Sequence, residues 1–244
     1  MRSALVLVLV FVFFTGCATT KPPQVYTPQF AFSAPNTAGP GSAGVTLAVV
    51  NAQYATDADW TSEAPFSTFA STMSSDFQAL LNARGFTVRG PFRTVDEMTF
   101  PDKKGSDLVL TPTLELAFDP VPGSARLRDT TGLLAAALAG QKTYTAEVDY
   151  TVGGRVTLAV SEPLSAERMW FKSLPVETTT VHLTYRATGA GMADINLMES
   201  RELCEALSST YASILDTAWK YLDPDEMAIA KKQSAEIRAK KVYD

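Results

Sequence analysis

Apolar positions along the chain fall into helical stripes, strand-like alternations and one uninterrupted run at the N-terminus. Between Pro65 and Arg84, Phe66, Phe69, Ala70, Met73, Phe77, Leu80 and Leu81 recur at spacings of three and four, and Gly85 follows where a helix C-terminus favours glycine. This predicts an amphipathic helix whose apolar stripe is core. Val45 to Ala52 before it is short and apolar enough for a buried strand, and Phe86 to Arg89 after it reads as a second strand. The domain therefore opens as a βαβ-like unit. A second stripe of Leu203, Leu207, Tyr211, Ile214, Leu215 and Ala218 predicts a helix from Glu199 to Tyr221. Asp223, Pro224 and Glu226 then supply the start of a last helix, with Asp223 as N-cap, proline in the first helical position and Glu226 placed to close a capping box. That helix, through about Lys241, carries Lys231, Lys232, Arg238, Lys240 and Lys241 with few large apolar residues, so much of it is expected to be solvated.

The middle of the chain alternates with a period of two. Asp107 to Phe118 is apolar enough for a strand, and Pro112 is expected to confine it to an edge or a bulge. Tyr144, Ala146, Val148, Tyr150 and Val152 alternate with Thr145, Glu147, Asp149 and Thr151, which predicts a strand with one wet face. Gly153-Gly154 reads as a two-residue hairpin turn into a further strand, Arg155 to Ser161. Arg168 to Leu174 and Val176 to Arg186 read as two more strands, and Ala187 to Asn196 as a polar loop or linker. The expected fold class is α+β: a twisted, mostly antiparallel sheet with a βαβ-like opening, helices packed on one face and two C-terminal helices.

The uninterrupted run changes the picture of where the chain works. Met1-Arg2 precedes eleven apolar residues from Ala4 to Phe14, and Thr15-Gly16-Cys17 follows. The order is that of a secretion signal, and the run is about half of the ~20 residues a spanning helix needs. Ending in Thr-Gly-Cys, it resembles a lipobox, the motif in which a cysteine thiol receives a diacylglycerol before cleavage just ahead of it. Residues 1–16 are thus expected to be a signal peptide and Cys17 the point of lipid attachment. Two or three acyl chains on one residue make a lasting anchor, because each buried methylene contributes ~0.8 kcal/mol. Ala18 is not the aspartate that resembles an inner-membrane retention signal, which favours the outer membrane. Five prolines and three glycines with a single charge, Lys21, lie between Ala18 and Gly44, so residues 17–44 read as a tether and 45–244 as one globular domain.

The chain carries 21 Lys and Arg against 26 Asp and Glu, a net charge of −5, and loss of Arg2 with the signal lowers it by one. This disfavours nucleic acid as a partner. Beyond Cys17 only Cys204 remains, so no intramolecular disulfide can staple the domain and its core must hold it. Cys204 itself reads as a small buried residue of the second helical stripe, or, if exposed, as a route to a linked dimer.

Chemistry-bearing patterns are sparse. His182 is the single histidine and has no neighbouring cysteine or second histidine with metal-ligand spacing. No G-x-S-x-G elbow occurs, and Gly189-Ala190-Gly191 lacks the lysine and the strand-to-helix context of a phosphate loop. Asp57/Asp59 and Asp223/Asp225 read as solvated or capping carboxylates. The expectation is a protein without catalysis, cofactor or metal. What remains is a long insertion between strands, Asp119 to Gly140, with Pro120, Pro122 and Gly123, then Arg126 and Arg128, then the run Gly132 to Gly140 of leucine and alanine. Long insertions often carry function. Arg126 and Arg128 are the candidate ligand contacts, since a guanidinium fork suits a carboxylate or phosphate. The leucine and alanine run reads either as a helix docking a partner or lipid, or as a short helix packed on its own sheet.

Taken together, the lipobox, the run Phe77 to Val88, the run Lys103 to Leu110, the strand Arg155 to Leu164 and the paired C-terminal helices resemble the neuraminyllactose-binding haemagglutinin family, the flagellar-sheath adhesin lipoproteins. The resemblance implies an outer-membrane or sheath-surface protein and a sialylated glycan or an envelope protein as partner. Where the family has a lysine-rich segment with a proposed role in glycan binding, this chain reads Gly123 to Asp129, with Arg126 and Arg128 and no lysine. A periplasm-facing auxiliary subunit of an envelope assembly or transport complex is the alternative, because it too needs a contact surface and no catalysis.

Overall fold

The computed structural model describes residues 24–129, 143–188, 191–192 and 196–241. Cys17, the signal run and the leucine and alanine run Gly132 to Gly140 lie outside them. The chain forms β1 (Thr46–Val50), β2 (Gln53–Tyr54), α1 (Phe66–Ala83), β3 (Thr87–Phe92), α2 (Phe100–Lys104), β4 (Leu108–Pro120), β5 (Arg126–Asp129), β6 (Thr143–Ser161), β7 (Arg168–Thr188), β8 (Gly191–Met192), α3 (Arg201–Tyr221) and α4 (Pro224–Lys240). All strands join one sheet in the order β3-β1-β4-β6-β7-β8, with β2 beside β4 and β5 beside β6. β3, β1 and β4 run parallel, as a strand–helix–strand opening requires, and from β4 onward every neighbour is antiparallel. This is the α+β architecture that the patterning predicts.

Alternation in β1 decides which side of the sheet each layer occupies. Leu47 and Val49 enter the main core with Phe69, Met73 and Phe77 of α1, Leu207 and Tyr211 of α3, and Met227 of α4. Ala48 and Val50 point the other way and pack with Val109 and Met98 under Phe92 and Val95. Three long helices thus share one face, while the segment leading into α2 covers the parallel end of the other.

Three local expectations are corrected. β4 is internal, between β1 and β6, so Pro112 does not make it an edge. Its neighbour ladder is interrupted instead: β1 pairs up to Leu110, β2 resumes at Thr113, and Pro112, which has no N–H to offer, falls in the gap. Gly153-Gly154 is not a hairpin turn. β6 runs straight through it, and the register against β7 shifts there, with Val152 opposite Thr179 and Gly154 opposite Val176. β7 therefore bulges by one residue at Glu177–Thr178, and a Cβ on Gly153 would lie 2.6 Å from the Thr178 hydroxyl. Gly154, at φ +126°, would place a Cβ 2.2 Å from the Glu115 carbonyl. The same bulge explains why β7 is one strand and not two: its core-facing residues change phase from Leu174 and Val176 to Val181 and Leu183.

The last helix departs from the sequence reading in two ways. Asp223 caps it, accepting from the Asp225 N–H, but Glu226 does not close a capping box and its carboxylate accepts from Trp170 Nε1 instead. Its basic side chains also serve the fold. Lys231 pairs with Asp107 and donates to the Gly44 carbonyl, Lys241 pairs with Glu167, and Arg238 reaches the fully buried Glu162.

Residues 24–44 form no helix or strand, yet they pack. Phe30 meets Phe69 and Tyr211 with ring centroids 5.3 and 5.0 Å away, and Phe32 lies beside Trp219. Ala38 and Ala43 donate to the carbonyls of Ala83 and Gly85. Proline and glycine forbid regular structure here without forbidding apolar contact, so this part of the expected tether lies as a strap along α3 and the end of α1.

Candidate contact surface

Arg126 and Arg128 lie on β5, which extends the line of β4 along the edge of β6. Between them the chain steps away from β6 and returns. The Val121 N–H donates to the Asp149 carbonyl, and the Ser124 hydroxyl accepts from the Asp149 N–H while donating to the Val121 carbonyl. Gly123 takes φ +76° at the step. β5 then resumes the ladder with Arg126 opposite Glu147, Leu127 opposite Ala146 and Arg128 opposite Thr145. Strand alternation puts the Arg126 and Arg128 positions on one face and Leu127 on the other. The Arg126 side chain is exposed, and that of Arg128 lies outside the described residues. Leu127 is 73% exposed.

The first turn of α3 clasps the base of this arm. His182 Nδ1 lies 2.8 Å from the Asp149 carboxylate across the β6–β7 ladder. The outward backbone of His182 is also taken: its N–H donates to Glu202 at 2.8 Å, and its carbonyl accepts from the Ser200 hydroxyl, which also caps α3. An otherwise open β-edge is thereby satisfied at one residue. In the sequence His182 stands as an isolated strand histidine, and nothing local signals its pairing with Asp149, which lies 33 positions away.

Two hollows flank α3. One, of about 230 Å³, lies against β7 and is lined by Glu177, Thr179, Ser209, Thr210 and Ser213 over Val176 and Ile214. The other, of about 350 Å³, lies against the strap and is lined by Tyr26, Gln29, Arg201, Cys204, Glu205 and Ser208. Cys204 is buried and its thiol points to the Tyr26 carbonyl at 3.6 Å. Burial, with the Glu205 carboxylate nearby, pushes the thiol pKa up and keeps it a poor nucleophile. Asp57 and Asp59 are both exposed, and Asp223 is occupied by its cap and by Arg84 at 2.8 Å.

No family model matches the chain, and no curated protein matches it in sequence. Among solved structures it is similar to a neuraminyllactose-binding haemagglutinin homolog from Helicobacter pylori, with a TM-score of 0.57 and 14% identity, over 86% of this chain and 99% of that one. At that identity the likeness is one of fold. A protein from Xanthomonas campestris aligns over 87% of this chain with a TM-score of 0.36 and 11% identity. A lipoprotein from Neisseria meningitidis aligns over 63% with a TM-score of 0.27 and 12% identity.

Proposed function

We propose that this chain is a lipoprotein of the cell envelope, acylated at Cys17 and carried to the outer membrane, whose globular part acts by binding and not by catalysis. The observation that carries the reading is the apolar run ending in Thr15-Gly16-Cys17, joined to a domain that adopts the fold of a neuraminyllactose-binding haemagglutinin homolog. The contact surface is the β5 arm, where the exposed Arg126, with Arg128 two positions along the same strand, suits an anionic partner, a sialic-acid carboxylate or a phosphate. Among the described residues no constellation supports catalysis: Cys204 is buried with a raised pKa, and the carboxylates noted above cap, pair or face solvent. Fractionation of cells producing the full chain tests the reading. The wild type is expected with the outer membrane and Cys17→Ser in the soluble or unprocessed fraction. A Cys17→Ser chain that partitions like the wild type contradicts it.

A further inference from the structure

The described chain becomes fixed at Tyr26, whose N–H donates to the Met198 carbonyl at 2.8 Å. From there the strap follows α3 in the direction of that helix, with Gln29 at Ser208, Phe30 at Tyr211 and Phe32 at Trp219. Tyr26 thus sits beside the N-terminal end of α3. At that same end α3 holds His182 of β7, and β7 continues six residues further, to Thr188, about 20 Å at the rise of a strand. The part of the sheet beyond the helix carries β5. It also carries the most exposed large apolar side chain among the described residues, Leu127 at 73%, while Val25, beside Tyr26, is 58% exposed. Leu127 lies opposite Ala146, with Val148 one step along, and since both of these are buried it forms the exposed margin of that apolar patch.

Eight residues, Ala18 to Val25, separate Cys17 from Tyr26. At the reach of an extended chain the thiol of Cys17 lies within about 30 Å of Tyr26, not the far longer distance that a tether ending at Gly44 would allow. That reach is short enough for a membrane holding Cys17 to be met by β5 as well.

We propose that β5 rests on the bilayer that holds the acyl chains of Cys17, with Leu127 at the boundary of headgroups and acyl chains and Arg126, on the other face of β5, at lipid phosphate. The proposal rests on the acylation of Cys17 and names the source of the anion as a lipid headgroup. One leucine and one arginine do not hold a free protein on a membrane, but beside a covalent anchor the second contact is intramolecular, and a weak contact is then populated. A domain held at two points has a fixed orientation, with the end bearing α2 and the β6–β7 turn facing away from the lipid.

The acylated full chain is prepared as Leu127→Cys and as Lys220→Cys, the latter exposed at the opposite end of α3. Each carries an environment-sensitive fluorophore; Cys204 is buried and Cys17 is blocked by its acyl chains. The proteins are incorporated into phosphatidylethanolamine and phosphatidylglycerol vesicles with or without brominated acyl chains. Brominated lipid is expected to lower the emission at Leu127→Cys by about twofold or more and to leave Lys220→Cys unchanged. Flotation of the vesicles reports the anchor separately. A chain that does not float means that the Cys17 reading has failed and this proposal with it. A floating chain quenched equally at both positions overturns the arm contact and leaves the anchor standing. If a second copy of the chain covers Leu127, the probe stays unquenched while cross-linking gives a dimer, which also overturns the proposal.

Discussion

Arg238 Nε on α4 donates to the carboxylate of Glu162 at 2.7 Å, and the Glu162 side chain has no exposure to solvent. The same carboxylate accepts from the N–H groups of Leu164 and Ser165, closing the β6–β7 turn, and the Arg238 guanidinium also donates to the carbonyls of Ser106 and Lys103. One ion pair thus ties the C-terminal helix, the turn between the two longest strands and the end of α2. Breaking a buried pair by removing one partner leaves an uncompensated charge, so Arg238→Ala is expected to cost about 3–5 kcal/mol in urea unfolding. A loss within about 0.5 kcal/mol would show that the pair is not a tie.

The same pair sets an acid limit. Burial alone raises the Glu162 pKa, but the bonds from Arg238, Ser165 and Leu164 outweigh it and hold the carboxyl below its ordinary 4.5. A depressed folded-state pKa contributes stability above the unfolded value and loses it as pH falls through the folded one. Unfolding free energy is therefore expected to fall below about pH 4.5, and Glu162→Gln should flatten that limb while lowering stability at neutral pH. An unchanged acid slope in the variant would assign the limb to other carboxylates.

Gly154 has a steric role that no side chain can fill. With φ at +126° and the Glu115 carbonyl 2.2 Å from where a Cβ would stand, Gly154→Ala should destabilise by about 2–4 kcal/mol. Gly123, with φ +76° but open space around it, should lose less on the same change. Thermal melts of the two variants rank them, and equal losses would refute the argument from close approach.

Limited proteolysis reads the strap directly. The protected core should begin close to Tyr26, and Phe30→Ala, which uncovers Phe69 and Tyr211, should move the first cut toward Val45 and cost about 2 kcal/mol. A wild-type core that starts at Val45 would contradict the packing of Phe30 and Phe32.

Arg126→Ala with Arg128→Ala should weaken binding to anionic vesicles or sialylated glycans by about 1 kcal/mol or more and leave the melting temperature unchanged. Equal binding by variant and wild type would remove β5 as the contact.

How far the sequence shows all this depends on the range of each interaction. The stripes of α1 and α3 are legible because a period of 3.6 repeats over 18 and 21 residues, and the parallel opening follows from the order of elements. Gly153-Gly154 misleads because a glycine pair serves a tight turn and a tolerated bulge equally well. What distinguishes them is Thr178 on the neighbouring strand, out of reach of any local window. Phe30 and Phe32 stand alone among prolines and show no periodicity, so the strap is invisible until α3 lies beside it. Glu162 and Arg238 are 76 positions apart, and neither announces the other. At the candidate surface, the Arg-x-Arg spacing does imply a shared strand face, but the clasp of Ser200 and Glu202 on His182 arises only from the packing of α3 against β7.

The intact mass of the chain extracted from membranes with detergent distinguishes a lipid-anchored protein from an unmodified one. The expected polypeptide begins at Cys17 and is heavier than residues 17–244 by a diacylglycerol, with or without a further acyl chain. A mass equal to an unmodified polypeptide, whether it starts at Met1 or at any residue after Gly16, would contradict it.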